Sequence, residues 1–145
     1  MSLFVDTGVF VALQNERDEH HEAAKSSLAC ASRGEFGQLY TNDYVYDEAV
    51  TLVRMRTGNH HEARIVGDRI AGRDPYPDVI DLLFVTADRF ERTVRTFDRY
   101  DDHPLSFTDA SIVALVEEHE IDAVCSFDDD FDGIVERLDP TTLAD

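Results

Sequence analysis

Four acidic side chains stand where the local pattern gives no reason for a charge. Asp6 ends the apolar run Leu3 to Val5, and Asp128 closes a second apolar run near the other end of the chain. Glu48 falls among Val45, Ala49, Leu52 and Val53, and Asp109 precedes Ile112, Val113 and Val116. That spacing puts both acids on the inward stripe of a helix. A desolvated carboxylate is costly alone, and a cluster of them adds mutual repulsion, so the natural partner is a divalent cation. Mg2+ or Mn2+, one ion or two, takes the oxygen ligands that such a set offers.

Each position also has a structural use. Asp6 and Asp128 can cap a following helix or close a turn. Glu48 can sit at the edge of its stripe and reach outward, and Ser106-Phe107-Thr108-Asp109 fits a capping box. The joint pattern favours the metal: two acids at strand ends and two on inward helix positions can converge on one crevice.

The elements that must position them alternate between strand and helix. The order begins with a strand at Leu3 to Val5, a turn at Thr7-Gly8, and a helix over Val9 to Leu13. A helix follows over Asp18 to Ser32, then a strand at Leu39 to Thr41. Asn42 or Asp43 caps a helix to about Thr57, Gly58-Asn59 stops it, and Glu62 to Ala71 forms the next. Val79 to Val85 reads as a strand, Thr86 or Asp88 opens a helix to about Tyr100, Ser106 or Thr108 caps one to about Glu120, and Ala123 to Ser126 is a strand. The expected fold is α/β, a three-layer α/β/α sandwich with a mostly parallel central sheet. Ligands of such sheets bind beyond the carboxyl ends of the strands, where Asp6 and Asp128 fall.

The length of 145 residues suits a single domain spanning 1–145. Cys30 and Cys125 match no zinc or redox spacing, so reduced thiols in a cytoplasmic protein are expected, with Cys125 packed as a small hydrophobe. No apolar run is long enough to span a bilayer, and membrane association is not expected. Asp and Glu number 31 against 13 Lys and Arg, for a formal net charge of -18, and Lys25 is the only lysine. This balance resembles the proteomes of salt-loving archaea. Such a field repels phosphate backbones in dilute buffer, but the Debye length falls to about 3 Å in molar salt, so charge does not exclude a nucleic acid.

The ordered segments carry a more specific likeness. They are Asp6-Thr7-Gly8 after hydrophobics, Thr41 to Leu52 around Glu48, Leu105-Ser106-Phe107-Thr108-Asp109-Ala110, and Ser126-Phe127-Asp128-Asp129-Asp130-Phe131. Together they resemble the PIN-domain ribonucleases, and within them the VapC-type toxins, over nearly the whole chain. The resemblance implies RNA cleavage dependent on Mg2+ or Mn2+, homodimerisation, and neutralisation by a small antitoxin protein. It matches Asp6, Glu48, Asp109 and Asp128 to the family's acidic quartet, as catalytic and metal-holding residues. Ser126 stands where the family commonly has threonine and keeps the hydroxyl. Asp128 fits the last ligand better than Asp130 because it lies nearest the strand end.

Carboxylate-held metal can acidify water, polarise a phosphate and stabilise the leaving oxygen without a nucleophilic side chain. Thr7, Ser106, Thr108, Ser126 and Asp130 are suited to orient ligands or waters around it. Arg54 and Arg56, one and two turns after Glu48, are candidates to grip RNA. Arg89, Arg92, Arg95 and Arg99 form a basic stripe that either contacts RNA or balances acids such as Glu91 and Asp98. The pairs His20-His21 and His60-His61 read as solvated helix surface, and Tyr40, Tyr44 and Tyr46 as packing. Asp6-Thr7-Gly8 also spells an aspartic-protease signature, but those enzymes are mostly β-strand, whereas this chain is rich in helical periods. A phosphatase of the haloacid-dehalogenase type needs an acid at position 8, which is glycine, and a receiver domain needs a late lysine, which is lacking. The rival from another class is a non-catalytic binding module that meets a protein partner through its acidic face.

Overall fold

A computed structural model describes residues 1–143. Its elements are β1 (Ser2–Val5), α1 (Thr7–Gln14), α2 (His21–Ser32), β2 (Gln38–Asn42), α3 (Asp43–Thr57), α4 (His60–Ala71), β3 (Ile80–Leu83), α5 (Ala87–Arg99), α6 (Phe107–His119), β4 (Ala123–Cys125) and β5 (Arg137–Leu138). Short 3-10 turns occupy Asp129–Phe131 and Pro140–Leu143.

The five strands form one sheet in the order β3-β2-β1-β4-β5, and every pairing is parallel. Successive strand residues point to opposite faces, yet Leu3, Phe4 and Val5 are all buried, as are Ala123, Val124 and Cys125. Both faces are therefore covered, as the uninterrupted apolar runs imply. β1 is central, and the chain leaves it towards β2 on one side and reaches β4 on the other. The gap beyond the carboxyl ends of β1 and β4 is the topological switch point, where such sheets open a crevice.

Side-chain caps set most helix starts. Asn42, Asn59, Thr86 and Ser106 each accept a bond from the backbone N–H three residues on, at Val45, Glu62, Arg89 and Asp109. α1 starts at Thr7, immediately after Asp6, where a turn was expected through Thr7-Gly8. α2 begins at His21 instead of Asp18, because the side chains of Asn15 and Asp18 accept bonds from Arg17 N and His20 N and hold a turn. α3 packs closely on α4 at Gly67, where a Cβ would lie 2.7 Å from the Tyr46 hydroxyl. β3 is shorter than expected, and Phe84 beyond it is exposed. β5 and both 3-10 turns have no counterpart in the sequence-based expectations, since two to four residues are too few to show a period.

Candidate metal centre

Strand pairing fixes the first acid. Asp6 N donates to Cys125 O at 3.0 Å, continuing the β1–β4 ladder one residue past the strand, and Thr41 Oγ1 donates to Val5 O at 2.9 Å from the β2 side. The Asp6 carboxylate, only 7% exposed, accepts Thr7 N at 2.7 Å on one oxygen and Ser126 Oγ at 2.7 Å on the other. The Ser126 hydroxyl in turn accepts Asp128 N at 3.0 Å, and an Asp128 oxygen accepts Asp130 N at 2.9 Å. A chain of hydrogen bonds thus runs from the buried end of β1 to the acidic turn after β4.

The helices bring the other two. Asn42, fully buried, accepts Val45 N at 2.8 Å to start α3, and its amide donates to Ser111 Oγ of α6 at 3.0 Å. One side chain therefore sets the helix carrying Glu48 against the helix carrying Asp109. The capping box at α6 is present, with Asp109 N donating to Ser106 Oγ and Ser106 N donating to Asp109 Oδ2, both at 3.0 Å. The cap engages one Asp109 oxygen, so the structural and ligand uses of this acid are compatible.

A cleft of about 470 Å3 collects these groups. Its walls include Asp6, Glu48, Asp109, Asp128 and Asp130, with Thr7, Ser106 and Ser126 among them, and also Arg56 and His20. Asp109, Asp128 and Asp130 each place a carboxylate oxygen within 4.8 Å of the others. Asp130 is half-buried and belongs to this group, whereas Asp128 is exposed. Asp6 and Glu48 complete the wall outside that tight trio. Thr108 keeps its structural part, its carbonyl accepting Ser111 Oγ at 2.5 Å.

Electrostatics agree with a like-charged cluster. Burial raises the Asp6 pKa to about 7; the Ser126 and Thr7 bonds oppose the rise, and Asp109 and Glu48 add repulsion. Asp109 is raised first by burial, against its bonds to Ser106, and then by Asp128 and Glu48. Asp130 is raised chiefly by the hydrogen bond it shares with the Asp128 carboxyl. Thr7 Oγ1 is buried with no hydrogen-bond partner among the described residues. Clustered hard oxygen donors, carboxylates that resist ionising together and a spare hydroxyl beside them fit a divalent cation.

The arginines divide by location. Arg56 lines the cleft, while Arg54 is exposed and lies outside its wall. Arg89 and Arg92 also lie outside it: both pair with Glu118, at 2.9 and 3.2 Å, and Arg99 reaches Glu117 at 3.9 Å. α5 buries Thr93 and Thr96, and Phe90 and Phe97 remain 43% exposed around Phe107.

His20 and His21 correct the expectation of solvated helix surface. His20 stacks on Phe127 with ring centroids 4.3 Å apart, and His21 Nδ1 lies 3.0 Å from Ala12 O. The turn that shortens α2 swings the pair inward, and no period in the sequence signals it. Arg137 was also not anticipated: it donates to Ser126 O at 3.1 Å while paired with Asp132 and Asp139. Its position as the last cation, among acids, is the one clue the sequence holds.

Five parallel strands with an acidic cleft at their switch point define an α/β protein with a candidate cation site, and its relatives make the class specific. The PIN domain profile matches residues 3–136, and the chain belongs to that family. It is 30% identical over 136 residues to the 23S rRNA-specific endonuclease VapC20 of Mycobacterium tuberculosis, covering 92% of this chain and 96% of the relative. The crystal structure of that protein, described as a sarcin-ricin loop cleaving toxin, superposes with a TM-score of 0.77 over 92% of this chain and 97% of the other. A VapC ribonuclease of Archaeoglobus fulgidus is 22% identical over 90% of this chain and 80% of its own length. A toxin-antitoxin complex from Klebsiella pneumoniae shares the fold at 20% identity and a TM-score of 0.65, over 97% and 98% of the two chains.

Proposed function

We propose that this PIN domain is a metal-dependent endoribonuclease, the toxin of a toxin-antitoxin pair, acting in the cytoplasm on RNA phosphodiester bonds. Asp6, Glu48, Asp109 and Asp128 hold one or two Mg2+ or Mn2+ ions, with Asp130 beside them. The observation that carries the reading is the convergence of carboxylates at the switch point without enough cations in the chain to neutralise them.

When bound, a divalent ion supplies Lewis-acid polarisation of the phosphate and acidification of water. The chain's own residues orient and exclude. Ser126 and the Thr7 amide hold both Asp6 oxygens, which fixes that carboxylate's direction into the cleft. Ser106 fixes one oxygen of Asp109 in the same way. Thr7 Oγ1 can donate to a water or a phosphate oxygen, and Arg56 stands at the wall to meet a neighbouring phosphate.

Partner binding rests on the relatives and on surface chemistry. Phe84, Phe90 and Phe97 are large exposed apolar side chains near α5, an unusual surface for so polar a chain and one suited to a protein partner, an antitoxin or a second copy. The deciding experiment is cleavage of ribosomal and synthetic RNA by the purified protein with Mg2+, with Mn2+ and after chelation. Metal-restored cleavage is expected; RNA left intact in every metal would leave the protein a binding module.

A further inference from the structure

Resting on the nuclease reading, we propose that His20 and Phe127 form a base-stacking platform beside the metal centre, which receives an unpaired base next to the scissile phosphate. Several independent features converge on this pair. The rings are nearly parallel, 14° apart with centroids at 4.3 Å, and both residues line the acidic cleft. The His20 side chain remains 38% exposed, so the stack is open to a further ring. Phe127 sits between Ser126, whose hydroxyl bonds Asp6, and Asp128 of the carboxylate trio. A base on this stack would therefore lie in the same cleft as the carboxylates that would hold the ions.

The platform is preorganised. The Asp18 side chain accepts His20 N at 2.8 Å, the Asp18 carbonyl accepts His21 N at 3.0 Å, and His21 Nδ1 lies 3.0 Å from Ala12 O. These contacts fasten the short connection between α1 and α2, so His20 needs little ordering when a ligand arrives. Stacking also answers a problem of charge. A cleft with six carboxylates and one arginine in its wall offers a phosphate backbone few contacts of its own, so the uncharged part of the nucleotide has to add to the affinity. Every base has a π-face, and stacking on an aromatic side chain contributes to binding whatever the sequence. The ligand class is single-stranded RNA, because a paired base cannot present its face to a wall.

The test uses the full chain and a short single-stranded RNA that the wild type cleaves, with the bases flanking the cut replaced one at a time by abasic sites. Steady-state kinetics are measured for wild type, His20→Ala and His20→Phe. His20→Ala is expected to raise KM about tenfold with kcat retained, and His20→Phe to restore KM. One abasic position should cost the wild type the same factor and cost His20→Ala nothing further, a non-additivity that a merely structural histidine would not produce. If no abasic position changes the wild-type KM, or if His20→Ala loses kcat alone and Phe does not rescue it, the platform is overturned while the nuclease stands. The abasic series on wild type decides the question even if His20→Ala unfolds. A wild type that neither binds nor cuts any RNA defeats the nuclease reading and the platform together.

Discussion

On the α5–α6 surface, Arg89 and Arg92 converge on Glu118 and Arg99 reaches Glu117, so both glutamates have a counter-charge within the chain. Partial burial opposes ionisation of Glu118, yet the bond and charge of Arg89 hold its carboxyl below the usual range. At the carboxyl ends of β1 and β4 the relation is inverted. Asp6 is pushed up by burial and by Asp109 and Glu48, Asp109 by burial and by Asp128 and Glu48, and the trio of Asp109, Asp128 and Asp130 has no arginine bound to it among the described residues. Both regions are rich in charge, but Glu117 and Glu118 are paired with arginines and the carboxylate trio is not. The lesson is that a charged residue points to a ligand only where its neighbours fail to neutralise it.

The sharpest way to break this comparison is to neutralise the incomplete side. Asp6→Asn, Glu48→Gln and Asp109→Asn each remove a ligand charge with little change in volume. RNA cleavage should fall by more than about a hundredfold in each, beyond the loss seen when only an outer partner of a metal ligand is removed. Asp6→Asn and Asp109→Asn should raise the unfolding midpoint in chelated buffer, because repulsion and desolvation are relieved. A midpoint many degrees lower would make these acids structural.

Within the turn after β4 the contrast recurs on a smaller scale. Asp128 and Asp130 share the carboxylate trio, whereas Asp129 is exposed and outside it. Asp128→Asn and Asp130→Asn should each cost at least about tenfold in cleavage, and Asp129→Asn should leave it near the wild-type rate. Equal losses for all three would remove the distinction.

Stability against pH probes Asp6 directly. Its folded pKa is about 7 against an ordinary 3.8, so between those values the folded state binds more protons than the unfolded state. Stability in metal-free buffer should therefore fall as pH rises from about 4 to about 7, by on the order of 2–4 kcal/mol, and flatten above. Asp6→Asn should lose most of this slope, the remainder coming from Asp109 and Asp130. Divalent metal should reverse it, since the ion favours the ionised carboxylate, and denaturant titrations at three pH values, with and without Mg2+, measure both effects.

How much of this was legible in the residues depends on what carries the signal. Strong apolar runs and caps revealed β1, β4, α3 and α6, and with them the positions of Asp6, Glu48, Asp109 and Asp128, because strand ends and helix stripes are local properties. Short elements such as β5 were not legible, since two residues carry no period. Nor was the inward turn of His20, set by the side chains of Asn15 and Asp18 competing with the helix backbone. Asn42 could be read as a cap, but its bond to Ser111 joins residues 69 apart in sequence. The pairing of Arg89 with Glu118 spans 29 positions between two helices, so helical spacing alone favoured charge balance over RNA contact only slightly and did not name the partner acid.

The smallest expected effect separates the arginines themselves. RNA binding measured across a salt series, in the Asp6→Asn background with Mg2+ held fixed, reports the number of phosphate contacts through its slope. Arg56→Glu should weaken binding for all sequences alike and flatten the slope by about one unit, because Arg56 stands at the cleft wall. Arg89→Glu and Arg92→Glu should bind as the parent does. They should instead lower the unfolding midpoint, since a new carboxylate would face Glu118 where a counter-charge had been. If Arg89→Glu flattens the slope as much as Arg56→Glu, RNA also runs across the α5–α6 surface, and the division between a neutralised face and an open one no longer describes how the molecule meets its substrate.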